Sequence, residues 1–241
     1  MGTVAASPSS LHTTIRGYYA AYAEDGKGEA DWERNLQELG YGQEEKALVD
    51  SEQILKVQCG AGNPFIAGKP HVGGLVIDLG SGAGNDALIA GRCVGPSGRV
   101  VGLDMTEEMV KLARENAKKV GLARTVEFHV ARFDDDTMDP RIPGDIRGRA
   151  DLVISNGALN LSPQKPNAIA LAYDLLKHGG RLQLADVVRV GDKDRKTSKC
   201  KLGRDAGVRT VPCDATRDKN NPETGCLLNP SFNFCKIPPL Y

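Results

Sequence analysis

The sequence predicts an α/β domain built on a doubly wound, mostly parallel β-sheet. Between Leu75 and Val187, short apolar runs of strand length alternate with amphipathic segments of helix length. This alternation is typical of parallel strands joined by right-handed crossover helices. A glycine-rich loop also follows the first strand, where such sheets bind their ligands. Glycine supplies 28 of 241 residues, against a usual share of about 7%, so further glycine turns are expected.

The elements are predicted in chain order. The first strand is Leu75–Ile77, and the helix Asn85–Arg92 follows the glycine loop. Thr106 stands where it can cap the next helix. Gly179 and Gly180 end the last helix. The other elements are strand 99–103, helix 107–120, strand 126–130, strand 152–155, helix 165–177 and strand 181–187.

Two regions flank this alternation. Residues 1–72 contain two helical patterns, Leu11–Glu24 and Gln43–Val57, which predict a helical cap packed on the domain. Residues 73–190 form the predicted ligand-binding domain. Residues 191–241 form a divergent tail rich in Cys, Pro and Lys, without an apolar period, and we expect it to be poorly ordered. The sheet would then be incomplete at its C-terminal side, with an unprotected edge.

Composition excludes several classes of protein. Hydrophobic residues make up 40% and charged residues 26% of the chain, which argues against a disordered protein and against a membrane protein. The 31 Lys and Arg residues balance the 31 Asp and Glu residues, so no net charge attracts nucleic acid or membrane. We therefore expect a small-molecule substrate, no nucleic acid and no membrane. The lack of a long apolar run or secretion signal predicts a cytoplasmic location.

The glycine loop runs from Asp78 to Asp86 with the sequence DLGSGAGND. A dinucleotide fingerprint would require glycine where Asn85 stands, so NAD is disfavoured. The spacing favours a ligand that lies across the loop by its ribose and an amino-acid end, whose carboxylate meets backbone amides. Asp104 follows the second strand and can accept both ribose hydroxyls, or act only as a helix N-terminal acid. Asp134 is placed to meet an adenine amino group, or is a solvated member of an acidic run.

Several segments resemble class I S-adenosylmethionine-dependent methyltransferases, and more narrowly arsenite methyltransferases. They are Val76–Asp86, Val94–Gly98, Gly102–Met109, Val153–Asn156, Asn160–Pro163 and Leu176–Leu182. The resemblance implies a Rossmann-like fold and S-adenosylmethionine as cofactor. It implies that the cofactor is bound by Tyr18, Asp78, Gly80, Ser81, Gly82, Gly84, Asp104, Met105, Phe133, Asp134 and Asn156. Within this set, Tyr18 would close over the cofactor and Asn156 would line the methyl-transfer side.

Arsenic(III) is thiophilic, so its site needs convergent thiolates. By the resemblance, Cys59 is an arsenic ligand and, with Asn156, a catalytic residue. A second thiol normally follows the Ile-Ser-Asn segment, but Gly157 stands there. The tail offers four further cysteines, Cys200, Cys213, Cys226 and Cys235. The resemblance also implies arsenite or its thiol conjugate as substrate, and a thiol reductant such as glutathione or thioredoxin as partner.

Three functions remain open at this point. The first is methylation of thiol-bound arsenic(III). The second keeps the cofactor but methylates a small organic acceptor such as a quinone, and the glycine at position 157 favours it. The third is a degenerate homologue that binds cofactor without turnover. Arsenite-dependent consumption of the cofactor separates the first from the other two.

Overall fold

The structure of the protein is a computed structural model that describes residues 7–25, 37–49, 60–186 and 209–214. Its helices are α1 (Pro8–Asp25), α2 (Gln43–Val49), α3 (Asn85–Val94), α4 (Glu107–Lys119) and α5 (Lys165–Leu175). Its strands are β1 (Leu75–Leu79), β2 (Arg99–Asp104), β3 (Val126–Val130), β4 (Ala150–Asn156), β5 (Leu176–Asp186) and β6 (Arg209–Asp214). Short 3-10 turns occupy Pro64–Ala67 and Gly144–Ile146.

The strands form one sheet in the order β3-β2-β1-β4-β5-β6, and the first five are parallel. This confirms the predicted doubly wound α/β fold. The central strand β1 pairs with both β2 and β4, with Ile77 opposite Val101 and Val153. The carboxyl ends of β1, β2 and β4 therefore meet at one edge, and the chain reverses its winding direction there. Sheets of this kind bind ligands at that point.

Helices cover both faces of the sheet because successive strand residues point to opposite sides. On one face, Val76 belongs to a buried cluster with Leu88 of α3 and Val110 of α4. On the other face, Ile77 belongs to a cluster with Leu171 of α5. Both strand residues are fully buried. Two apolar layers thus hold the strand ends in fixed positions.

The boundary between α5 and β5 differs from the prediction. The helix ends two residues earlier than expected, and β5 begins at Leu176, which pairs with Ala150. The register then shifts before Arg181 pairs with Leu152. The side chain of Leu176 lies in the core, which favours extending the chain there. Gly179, with φ of +75°, accommodates the irregularity.

The sequence predicted that the tail would leave the edge of β5 unpaired, and for one segment of the tail this prediction was wrong. Residues 209–214 form β6, which pairs antiparallel with β5 from Arg181 to Asp186. Pro212 in this strand lacks a backbone N–H, and an edge strand is where a sheet tolerates that loss. The remainder of the tail, 187–208 and 215–241, lies outside the described residues.

Helix α1 belongs to the predicted cap and packs against α4, where Tyr19 and Tyr22 contact the cluster around Met109. Helix α2 begins at Gln43 as predicted, and residues 50–59 lie outside the described part of the chain. Across residues 7–25, 37–49, 60–186 and 209–214, none of the helices has both the length and the apolar content that spanning a bilayer requires.

Candidate active site

A cavity opens at the carboxyl ends of β1, β2 and β4. Its empty volume is about 920 Å³ when the open solvent at its mouth is included. Nine of the residues expected to bind cofactor line it, namely Asp78, Gly80, Ser81, Gly82, Asp104, Met105, Phe133, Asp134 and Asn156. The structure thus brings together residues that are up to 78 positions apart in the sequence. Tyr18 and Gly84 do not contribute to the described lining.

The glycine loop packs closely on its neighbours. The backbone N–H groups of Gly80 and Ser81 both donate to the carbonyl oxygen of Leu103, at 2.8 and 3.0 Å. Gly80 has φ of +77°, and a Cβ there would lie 2.3 Å from the Cβ of Ala158. A Cβ on Gly82 would meet no atom within 4 Å, so Gly82 faces open space in the cavity. A ligand can therefore approach the backbone at Gly82.

Gly84 has a packing role in the structure. It precedes α3, and a Cβ there would lie 2.7 Å from the ring of Phe128. The third glycine of the loop thus lets α3 approach the sheet closely, while the residue after it, Asn85, lines the cavity.

Asp104 lies beside the glycine loop, as the sequence pattern predicts. Its Oδ2 accepts the backbone N–H of Gly82 at 2.9 Å, and its Oδ1 accepts that of Thr106 at 2.8 Å. Thr106 occupies the N-cap position of α4, but its side chain forms no capping bond and instead hydrogen-bonds Asp104. Burial raises the pKa of Asp104 although these hydrogen bonds oppose the rise. Each carboxylate oxygen has a second lone pair with which it can accept a ribose hydroxyl.

Asp78 gives the cavity a preference for a cation. It is buried at the end of β1, and burial together with the charges of Asp86 and Asp104 raises its pKa well above the ordinary value. Three carboxylates so placed repel one another when ionised, and a cationic ligand group relieves that repulsion. These three carboxylates therefore fit a ligand that carries an ammonium group.

Two polar side chains in the cavity wall lack partners. The hydroxyl of Ser81 and both amide atoms of Asn85 form no hydrogen bond with any residue that the structure describes. These residues are 8% and 6% exposed. A buried polar group left without a partner costs about 1–3 kcal/mol, so a polar ligand group at this wall is favoured. The sequence analysis noted Asn85 only because it stands where the dinucleotide-binding motif requires glycine, and it did not predict a ligand contact for this residue.

The far end of the cavity contains Phe133 and Asp134. Asp134 is 4% exposed, so it is not part of a solvated acidic run. Its Oδ2 contacts Nε2 of His12 at 2.9 Å and accepts the hydroxyl of Ser162 at 2.7 Å. Burial opposes ionisation of Asp134, but the hydrogen bonds from Ser162 and His12 lower its pKa below the ordinary value. His12 and Ser162 were not identified from sequence, because His12 is 122 residues from Asp134.

Helix α1 closes one side of the cavity through Ile15 and Tyr19. These residues are four positions apart and share a helix face. Tyr18 points away from this face. Its side chain is 63% exposed and packs edge-on against Tyr19, with ring centroids 5.2 Å apart, and stacks on Tyr22 at 6.5 Å. Of these two neighbouring tyrosines, Tyr19 lines the cavity and Tyr18 does not.

Asn156 connects the cavity to the segment that precedes β1. Its Oδ1 accepts the backbone N–H groups of Ala61 at 2.7 Å and Gly62 at 3.1 Å. Its Nδ2 lies 2.9 Å from Oδ2 of Asp86, whose Oδ1 accepts the hydroxyl of Tyr41 at 2.6 Å. Burial raises the pKa of Asp86 to about 6, although the hydrogen bonds from Tyr41 and Asn156 oppose the rise. Sequence analysis identified neither Tyr41 nor Asp86 as a functional residue.

The proposed arsenic ligands are described only in part. Cys59 lies outside the described residues, but Gly60, the next residue, lines the cavity, as does Gly157. Cys93 is the one cysteine whose side chain lies within the described residues. It is half-buried outside the cavity lining, and burial raises its pKa. Cys200, Cys226 and Cys235 are outside the described part of the chain, and of Cys213 only the backbone in β6 is described.

Comparison with known proteins supports the same fold. The family described as "Methyltransferase domain" matches residues 70–222. An arsenite methyltransferase of Halobacterium salinarum is 39% identical over 152 residues, which is 63% of this chain and 36% of that protein. A ubiquinone/menaquinone biosynthesis C-methyltransferase of Escherichia fergusonii is 34% identical over 115 residues, covering 46% of this chain and 41% of that protein.

Among solved structures, the arsenic(III) S-adenosylmethionine methyltransferase of Chlamydomonas reinhardtii superimposes with a TM-score of 0.54 at 28% identity. The match covers 66% of this chain and 54% of the Chlamydomonas chain. The present chain thus spans little more than a third of the Halobacterium relative and about half of the Chlamydomonas protein.

Proposed function

This chain belongs to the methyltransferase domain family, and from that premise we propose that it transfers a methyl group from S-adenosylmethionine to thiolate-bound arsenic(III). One observation carries the proposal. The cavity that holds Asp104, Ser81 and Asn85 is also lined by Gly60, the residue next to Cys59. The donor site and the expected thiol segment therefore share one cavity. The arsenite methyltransferase relatives support the choice of acceptor.

The residues present fit the cofactor. Asp104 would hold the ribose hydroxyls, and the buried carboxylate of Asp78 would hold the ammonium group. The amino-acid carboxylate of the cofactor would accept hydrogen bonds from Ser81 and Asn85, whose side chains have no other partner among the described residues. Phe133 offers an apolar surface to the adenine ring. When bound, S-adenosylmethionine supplies an electrophilic methyl group on a good leaving group, so the protein mainly has to align donor and acceptor.

Alignment alone can supply most of the rate enhancement. Holding two reactants in a reactive geometry is worth about 7–11 kcal/mol of the barrier. Methyl transfer would form a bond from the arsenic lone pair to the methyl carbon and would break the carbon–sulfur bond of the cofactor. It would raise the formal oxidation state of arsenic by two, so a thiol reductant such as glutathione or thioredoxin would have to return two electrons. Because the arsenic lone pair is the nucleophile, no side chain has to remove a proton.

Cys59 is the proposed arsenic ligand within the first half of the chain. One thiolate does not hold arsenic(III) against competing cellular thiols, so two or three are required. Gly157 cannot supply one. At least one further ligand would have to come from the tail cysteines, Cys200, Cys213, Cys226 and Cys235.

The test is an assay with arsenite, glutathione and labelled S-adenosylmethionine. We expect methylarsenical from the wild type and from Cys93→Ser, whose thiol lies outside the cavity lining. Cys59→Ser, and a full-length variant in which Cys200, Cys213, Cys226 and Cys235 are all replaced by serine, should lose the product. Unchanged product in both variants would show that the named thiols are not the site. A wild type that binds cofactor but forms no methylarsenical would refute the arsenic proposal.

An organic acceptor is the second candidate. Position 157 carries no thiol, and the C-methyltransferase of Escherichia fergusonii is 34% identical over its matched region. Ile15, Met109 and Leu161 also give the cavity an apolar wall that would suit a ring. The discriminating measurement is release of S-adenosylhomocysteine in the presence of a reduced quinone. Cofactor binding without release from either acceptor would indicate a degenerate homologue.

A further inference from the structure

A buried group of three side chains holds the segment after Cys59 against the cavity. The group is Tyr41, Asp86 and Asn156. Tyr41 is 3% exposed and Asp86 7% exposed. Asn156 stands at the end of β4, paired in the sheet with Ala185, so its backbone position is fixed. The group joins three parts of the chain that are far apart in sequence.

The orientation of the Asn156 amide follows from its donors. Two backbone N–H groups, those of Ala61 and Gly62, point at the same side-chain atom, so that atom must be the oxygen. The amide nitrogen then has two N–H bonds and three acceptors in reach. These are the carbonyl oxygen of Gly62 at 2.7 Å, Oδ2 of Asp86 at 2.9 Å and the hydroxyl of Tyr41 at 2.9 Å. One amide therefore binds both the donor and the acceptor groups of the segment.

Asp86 keeps the amide in this orientation. A carboxylate only accepts hydrogen bonds when ionised, so it selects the N–H side of Asn156. The hydroxyl of Tyr41 donates to the other oxygen of Asp86 at 2.6 Å, which prevents the carboxylate from turning. The segment itself lies directly on the amide, since a Cβ on Gly60 would come within 2.3 Å of Nδ2 of Asn156.

We propose that Asn156, oriented by Asp86 and Tyr41, is a positioning residue that fixes Gly60–Gly62, the segment directly after the expected acceptor thiol in the sequence, on the cavity wall. The inference rests on the proposed function, because it concerns the placement of the acceptor. It assigns the amide of Asn156 a contact with the protein's own backbone. The amide of Asn156 and the hydroxyl of Tyr41 then determine the alignment of acceptor with donor, whereas Asp86 also places a negative charge beside Asp78 in the cavity.

The proposal predicts a split between turnover and cofactor binding. Asn156→Ala removes the three hydrogen bonds that the structure describes between this side chain and the segment, and a misplacement of about 1 Å costs on the order of 100-fold in turnover. Tyr41→Phe removes the hydroxyl that donates to Asp86 and lies 2.9 Å from Nδ2 of Asn156, and it should lower turnover by about 10-fold. Affinity for S-adenosylhomocysteine, measured by calorimetry, should stay within about twofold in both variants. Tyr173→Phe, on α5 and outside the cavity lining, is the matched control and should behave as wild type.

A second readout keeps this test separate from the arsenic assay. The rate of alkylation of Cys59 by iodoacetamide is followed by peptide mass spectrometry, with Cys93 as internal reference. We expect faster alkylation of Cys59 in Asn156→Ala and in Tyr41→Phe, with Cys93 unchanged. If the wild type forms no methylarsenical, the proposed function fails, and the alkylation rates still decide the positioning role. The inference would be overturned if Cys59 were alkylated at the wild-type rate in both variants. It would also be overturned if the affinity for S-adenosylhomocysteine fell by the same factor as turnover.

Discussion

Replacing Asp86 by asparagine should remove a pH-dependent contribution to stability. The carboxyl has a pKa of about 6 in the folded protein against an ordinary 3.8, because burial disfavours its charge. The folded state therefore binds the proton more tightly than the unfolded chain. Acidification through pH 6 stabilises the wild type relative to its stability at pH 7.5, and this gain is complete below pH 3.8.

The size of the effect follows from the shift. The difference of about 2.2 pKa units corresponds to about 3 kcal/mol in total. Between pH 7.5 and pH 5.0, linkage gives roughly half of this amount. Asp86→Asn is neutral throughout and lacks this part of the pH dependence. Other titrating groups are common to both proteins and largely cancel when their stabilities are subtracted.

Urea unfolding of both proteins at the two pH values measures this difference. The free energy of unfolding of wild type minus that of Asp86→Asn should rise by roughly 1 to 2 kcal/mol on going to pH 5.0. A constant difference at the two pH values would refute the assigned pKa. The asparagine side chain has one acceptor oxygen where the carboxylate has two, so it cannot accept hydrogen bonds from both Asn156 and Tyr41. Turnover should fall for that reason.

Three further predictions concern the cofactor site and its cover. Asp104→Ala should weaken S-adenosylhomocysteine binding by roughly 10- to 150-fold in calorimetry, because a hydrogen bond to a charged group is worth about 1.5–3 kcal/mol; equal affinity would remove Asp104 from the site. Gly80→Ala should lower the melting temperature more than Gly82→Ala, because only the first Cβ would clash, while Gly82→Ala should chiefly reduce cofactor affinity; the reverse order would contradict the cavity geometry. His12→Ala should leave Asp134 with one fewer partner and make α1 more susceptible to limited proteolysis, and wild-type cleavage rates would show that this contact does not hold the helix.

Local sequence pattern predicts the features that depend on neighbours along the chain. The apolar run at β1, the glycines after it and the acid at position 104 form a strand, a turn and a strand end. The structure confirms their proximity, since the N–H of Gly82 lies 2.9 Å from the carboxylate of Asp104. Parallel strands align their carboxyl ends whatever the intervening sequence is, so this part of the site follows from the fold class.

The missed residues depend on contacts between distant parts of the chain. Tyr41 meets Asp86 across 45 positions, and His12 meets Asp134 across 122 positions. Tyr41 lies between two glycines, and His12 lies on a helix whose sequence does not predict burial. Neither local sequence indicates the distant partner. Strand β6 was missed for a similar reason, because its six residues include Pro212 and show no apolar alternation. Only the available edge of β5 gives that segment a place in the sheet.

The pairing of β1 with β4 also determines when the site can form during folding. The hydroxyl of Ser155 binds the carbonyl oxygen of Leu79, 76 residues away, so the two halves of the cavity meet only after a long loop closes. Contacts of such large sequence separation form slowly. A ligand that touches both halves cannot bind before that closure. S-adenosylmethionine should therefore slow unfolding, in proportion to its occupancy of the native state, while the rate of refolding stays the same.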